Sequence, residues 1–247
     1  MPIVITESEG LRLLQFGTPW CQGAMRIEAP DRLELEYAVR MSAWLLFHDP
    51  AGLAGRHLVT LGLGAGSLTR FARRTLGMRA TAVEIDAEVI EACRTHFMLP
   101  PDGDGLRVVH ADGADFIAQP GIERSIDVLQ VDAYDAGVDR PALDSEAFYA
   151  RCRAALREGG TVAVNLIGGG LDVRASVARL RDGLRPREVW QFPPTGAGNV
   201  VVIAHCGEVP PEPVLAERAA QIEARWDLPA SGWLAMARRS PVLAPAR

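Results

Sequence analysis

The sequence predicts an α/β protein whose seven-stranded sheet is mostly parallel, covered by helices on both faces, and closed by an antiparallel hairpin. Three observations carry this reading. From His57 onward, short apolar runs alternate with stretches of helical periodicity, the pattern of strands buried on both faces. The first of these runs ends in Leu61-Gly62-Leu63-Gly64-Ala65-Gly66-Ser67, a strand–turn–helix junction. The last two runs are joined by a loop holding Pro193-Pro194 and Gly196. That loop is too short for a helical crossover, so they pair antiparallel.

Taken in order, residues 1–50 read as a small lead-in. Extended pieces over Ile3–Ile5, Leu11–Phe16 and Ala24–Ile27 are broken by Gly10, Gly17, Pro19 and Gly23, which suggests a hairpin. Asp31 can cap a helix, and Leu33, Tyr37, Met41, Trp44 and Leu45 recur at helical spacing. An amphipathic helix to about Phe47 is expected, ended by Asp49-Pro50. Residues 51–206 hold the predicted strands, at His57–Leu63, Ala80–Ile85, Leu106–His110, Ile126–Val131, Thr161–Leu166, Glu188–Phe192 and Asn199–Ala204. Helices are expected at Ser67–Leu76, Ala87–Phe97, Ser145–Leu156 and Val173–Leu184, with a short turn at Ala114–Ala118. Residues 207–247 read as a Pro-rich helix (Val214–Arg225) and tail.

Composition narrows the function. A net charge of −5 and a pI near 5.6 argue against general nucleic-acid binding, and Arg70, Arg73 and Arg74 read as a solvated helix face. The four cysteines form no CxxC pair, so a zinc site is not expected and free thiols in a reducing cytoplasm are. Residues Met1–Glu7 lack the basic start of a signal peptide, and no run of about 18 apolar residues suggests a membrane span. The five histidines show no metal-ligand spacing and read as surface or strand-end residues. Trp20 and Trp44 read as packing residues. Ser67 lacks the GxSxG context of a hydrolase nucleophile.

The candidate site gathers at the carboxyl edge of the sheet. Gly62, Gly64 and Gly66 let backbone approach a ligand closely. Glu84 ends the second strand 22 residues after Gly62 (84 − 62), placed to accept from both hydroxyls of a ribose. Asp86 reads as the cap of the next helix. Asp112, beside the small Gly113, ends the third strand, where a carboxylate can accept from an adenine amino group. Ser67 stands where a dinucleotide fingerprint has its third glycine, so an adenosyl nucleoside fits better than a dinucleotide. The fourth strand delivers Asp132, Tyr134 and Asp135 to the same edge, and Asn165 ends the fifth.

Five segments resemble the spermidine synthase (polyamine aminopropyltransferase) superfamily. They are Leu61–Gly66, Val83–Ile90, Asp112–Phe116, Asp127–Asp135 and Ser145–Tyr149. The resemblance implies a Class I methyltransferase-like (Rossmann-like) fold. It implies transfer of a 3-aminopropyl group from decarboxylated S-adenosylmethionine to a small-molecule amine, with methylthioadenosine as the product and no metal. Glu84 would hold the ribose, Asp112 the adenine, Asp132 would be the catalytic acid and Asp135 its second acid. Gln22, Tyr37 and Tyr134 would line the substrate side, and the lead-in would suit a homodimer contact. The family's Gly-rich loop usually carries an Asp where this chain has Ala65, and its Tyr-His-Glu-type motif is here Tyr37-Ala38-Val39. Two further readings therefore stay open. One is a methyltransferase using S-adenosylmethionine itself; the other is a non-catalytic nucleoside-binding protein.

Overall fold

A computed structural model describes residues 2–17, 21–133, 143–167 and 172–241. The chain opens with β1 (Ile3–Ser8), β2 (Leu11–Phe16) and β3 (Cys21–Arg26), a three-stranded antiparallel sheet in that order. Helix α1 (Glu36–Met41) runs into a 3₁₀ segment, Ser42–Phe47. The expected single helix is thus split. Ser42 Oγ donates back to Ala38 O at 3.2 Å, the side-chain competition that disturbs helix interiors.

The main sheet contains β4 (His57–Leu61), β5 (Arg79–Glu84), β6 (Leu106–His110), β7 (Ile126–Val131), β8 (Leu156–Leu166), β9 (Glu188–Gln191), β10 (Val200–His205) and β11 (Arg238–Pro241). Their spatial order is β11-β9-β10-β8-β7-β4-β5-β6. Strands β8, β7, β4, β5 and β6 run parallel, and β10, β9 and β11 add antiparallel ladders. This is the expected Class I methyltransferase-like order with one strand more than the seven foreseen. The extra strand comes from the tail. Its Arg238-Arg239-Ser240-Pro241 has no apolar alternation to mark a strand, and tertiary contacts supply the reason for its pairing. The Arg239 guanidinium lies 4.5 Å from the centre of the Trp190 ring and pairs with Glu212.

Between the strands lie α2 (Ser67–Arg70), α3 (Ala87–His96), α4 (Gly113–Ile117), α5 (Glu146–Ala155) and α6 (Val173–Leu184); α7 (Glu212–Trp226) and α8 (Ala230–Met236) follow β10. A wide π turn, Phe71–Thr75, continues α2. One core packs Met41, Trp44, Trp190, Ile222 and Trp233 against one face of the sheet. The other packs Phe116, Phe148, Tyr149, Leu180 and Leu184 against the opposite face. Among the described residues no helix is long and apolar enough to cross a membrane.

Two sequence expectations are corrected here. Arg70 is not a solvated residue: it is 1% exposed, and it donates to Pro30 O at 3.0 Å and Ala65 O at 2.6 Å. It ties the lead-in to the Gly-rich turn. His48 is not at the surface either. It lies buried beside Thr161 and His205, and His205 at the end of β10 is buried as well. Trp20 and Gly168–Gly170 lie outside the described residues.

Candidate active site

Strand β4 is central, with β5 and β7 as its two parallel neighbours. The chain leaves β4 towards β6 and returns through β7 on the other side, so a crevice opens between the β4 and β7 ends. Gly62 sits at that point with φ +90°, a conformation that costs a side chain dearly. A Cβ there would also lie 2.3 Å from Asp132 O. The two strand ends therefore touch because position 62 has no side chain. Gly64 and Gly66 also have positive φ. Gly62→Ala is expected to cost at least ~2 kcal/mol and to weaken nucleoside binding. Thermal unfolding and a nucleoside titration of the variant check this.

The lead-in presses on the turn from outside. A Cβ on Gly23 would meet Ala65 Cβ at 2.5 Å. Ser67 Oγ donates to Ala24 O at 2.9 Å, and Cys93 Sγ to Gly64 O at 2.8 Å. Ala65 is buried with Leu14, Met25 and Phe97. The position that bears a loop Asp in the resembled family is here a packed apolar one.

Glu84 is partly buried at the β5 end. Its Oε2 accepts from Leu63 N at 2.8 Å and its Oε1 from Asp86 N at 3.0 Å. The carboxylate is locked in place, and each oxygen keeps a lone pair for a further donor. Asp86 caps α3 through Glu88 N. Asp112 Oδ1 caps α4, accepting from Ala114 N at 2.7 Å and Asp115 N at 3.0 Å. Gly113 packs against the protein: a Cβ there would lie 3.3 Å from Leu143 and 3.4 Å from Leu61. Sequence reasoning passed over Ile85. It is 65% exposed beside Glu84, and an apolar side chain at a strand end offers a face to a flat ring.

At the β7 end, Asp132 N donates to Leu61 O at 2.8 Å, extending the β4–β7 ladder. Its Oδ1 accepts from Asn165 Nδ2 at 2.8 Å. Desolvation pushes the Asp132 carboxyl up to about 7, against hydrogen bonds from Asn165 and Tyr37 that pull it down. Burial and the neighbouring Asp132 raise the Tyr37 phenol well above its ordinary value, so it remains a hydrogen-bond donor. Tyr37, Asp132, Leu35, Leu63, Gly64 and Ala65 line one small cavity of about 10 Å³. Gln22 contributes its carbonyl, 3.4 Å from where a Gly64 Cβ would stand. The lead-in, turn and β7 end thus meet at Asp132. Tyr134 and Asp135 lie outside the described residues. Among the described residues no three His, Cys, Asp or Glu side chains are grouped to hold a metal ion.

Comparison with known proteins adds four findings. The profile of the spermine/spermidine synthase domain matches residues 51–165. A polyamine aminopropyltransferase of Neisseria meningitidis serogroup B is 34% identical over 201 residues, covering 81% of this chain and 74% of the relative. One from Chromobacterium violaceum is 32% identical over 232 residues, covering 92% and 86%. In fold, the chain resembles a probable spermidine synthase from Corynebacterium glutamicum, with a TM-score of 0.72 at 18% identity over 97% of this chain and 87% of that one.

Proposed function

Since the chain belongs to the spermine/spermidine synthase family, we propose that it moves the aminopropyl group of decarboxylated S-adenosylmethionine onto a small amine, with Asp132 as the group that aligns and deprotonates the acceptor. The observation that carries this is the Asp132 carboxyl held by Asn165 and Tyr37 beside the Gly-rich turn. The acceptor nitrogen attacks the aminopropyl carbon bonded to sulfur. The C–S bond breaks, methylthioadenosine leaves with the electron pair, and the surplus ammonium proton passes to Asp132. The sulfonium leaves readily, so alignment and amine deprotonation are the protein's main tasks. A carboxylate of ordinary pKa accepts poorly from an ammonium near 10, and one raised to about 7 is better matched.

In this reading Glu84 receives the ribose hydroxyls, Ile85 lies against the adenine and Asp112 Oδ2 accepts from its amino group. Gln22, Tyr134 and Asp135 belong to the acceptor side by resemblance, Asp135 holding the distal ammonium of a diamine. The four free cysteines suit the cytoplasm. Glu84→Ala is expected to raise the nucleoside KM about 10–100-fold with little change in kcat, as steady-state kinetics would measure.

Ala65 favours a second reading. A neutral, packed residue at that place makes no demand for the free amine of a decarboxylated tail, and it tolerates intact S-adenosylmethionine. Incubating the protein with each nucleoside and a panel of diamines separates the two. Methylthioadenosine formed with a diamine supports aminopropyl transfer. S-adenosylhomocysteine formed instead makes the protein a methyltransferase.

A further inference from the structure

Asp132 ends a hydrogen-bond chain that starts in the turn between β9 and β10. Asn165, next to last in β8, gives Nδ2–H to Asp132 Oδ1. Its own Oδ1 accepts from Asn199 Nδ2 at 3.0 Å. Asn199 Oδ1 in turn accepts from Thr195 Oγ1 at 3.3 Å. The turn itself is rigid: Asn199 N donates to Thr195 Oγ1 at 3.1 Å and Thr195 N to Asn199 O at 2.8 Å. Asn199 is 4% exposed and Thr195 7%, and neither lines the cavity at the Gly-rich turn.

A side-chain amide can be placed two ways round, and its partners decide which. Ionised Asp132 only accepts, so Asn165 must show it the NH₂ group. The Asn165 oxygen then faces Asn199, which must answer with its own NH₂ and turn its oxygen to the Thr195 hydroxyl. Every donor in the chain points towards the carboxylate.

We propose that Thr195, Asn199 and Asn165 form a one-way positioning relay that fixes the Asp132 carboxylate and favours its ionised form. The consequence for catalysis rests on the reading of Asp132 as the base. The other groups acting on Asp132 are Tyr37 from α1, which also favours the ion, and Glu84 from the β5 end, which with burial disfavours it. Cys21 of β3 acts on Tyr37. Losing the relay removes one of the two hydrogen bonds opposing that burial. Turning the Asn165 amide over is worse, because it sets lone pair against lone pair.

The test titrates the Asp132 carboxyl by ¹³C NMR in the ligand-free protein, its signal assigned by its absence from Asp132→Asn, alongside the pH profile of kcat/KM. Asn165→Leu is expected to move the titration from about 7 to about 8. Asn199→Asp forces the Asn165 amide over and should move it at least as far. Thr195→Val should move it in the same direction by less, and this variant decides the matter if the buried carboxylate of Asn199→Asp prevents folding. Thr195→Ser keeps the hydroxyl and should leave both curves at their wild-type positions. The acidic limb of kcat/KM should follow each titration. If Asn165→Leu moves the titration while Asn199→Asp and Thr195→Val leave it in place, the relay is overturned. An unmoved titration in all of them overturns it too. A titration that moves in a protein with no aminopropyl transfer keeps the relay and removes the proposed function instead.

Discussion

Asp132→Asn is expected to lower kcat about 10²–10⁴-fold while nucleoside affinity stays within about twofold. The amide keeps the size of the side chain and loses the proton acceptor. With Asp132 as the proposed base, the ionised carboxyl would be the working form, so wild-type kcat/KM should fall about tenfold per pH unit below about pH 7. Unchanged turnover in the variant would remove Asp132 from the reaction. The same substitution has an opposite effect on stability. The folded carboxyl stands at about 7 against 3.8 when unfolded, so the folded state binds the proton more tightly. Its contribution to stability is complete below the unfolded value and is lost as pH rises through 7. An amide removes that loss, and Asp132→Asn should be about 2–3 kcal/mol more stable than wild type near pH 7.5. Urea unfolding of the ligand-free proteins at that pH reads the difference. A variant that is both dead and more stable is the signature of a functional carboxylate held in an unfavourable place.

Much of this site was legible because its residues stand at strand ends that apolar runs delimit. His57–Leu61 and Ile126–Val131 are largely buried strands, so Gly62 and Asp132 could be assigned to one edge from the sequence alone. Glu84 and Asp112 were legible in the same way. What sequence could not convey was which neighbours the topology would bring to them. Asn199 is 34 residues from Asn165 and reaches it only because β10 pairs antiparallel with β8. Arg238–Pro241 joins the sheet through contacts with Trp190 and Glu212, made across the fold and not along the chain. Arg70 was misread for a similar reason. Among the clustered Arg70, Arg73 and Arg74, the burial of Arg70 is settled by the carbonyls of Pro30 and Ala65, which periodicity does not show. Gly113, read as a nucleoside-side residue beside Asp112, also packs closely: a Cβ there would lie 3.3 Å from Leu143 and 3.4 Å from Leu61, which the sequence does not show.

The ligand-free Asp132→Asn variant should lose about 3 kcal/mol of stability between about pH 7.5 and 5.5, and the cause lies at the opposite end of the sheet. Arg56 Nη1 stands 3.1 Å from His48 Nδ1, and His48 Nε2 stands 2.9 Å from Thr161 Oγ1. Thr161 Oγ1 lies 2.8 Å from His205 Nδ1, and His205 Nε2 lies 3.1 Å from Glu208 O. Arg56 can only donate, and Glu208 O can only accept. His48 therefore carries its proton on Nε2, and a second one on Nδ1 would face the Arg56 donor; His205 gives its Nε2 proton to Glu208 O and can accept the Thr161 hydroxyl at Nδ1. Burial lowers His48 to about 3, with His205, Arg56 and Arg218 adding to it, and burial lowers His205 to about 4. Both groups titrate at 6.5 when unfolded. The unfolded chain thus takes up protons that the folded one refuses, and stability falls as pH drops below 6.5 towards the folded values. The partly buried His57, also lowered by desolvation, acts in the same sense. In the wild type, Asp132 gains stability over this interval and offsets about 2 kcal/mol, which leaves a net loss of about 1 kcal/mol. Removing Asp132 exposes the full histidine slope. Adding His48→Gln and His205→Gln to the Asp132→Asn background should flatten it. Urea midpoints for Asp132→Asn that agree at the two pH values would show that the buried rings accept protons after all.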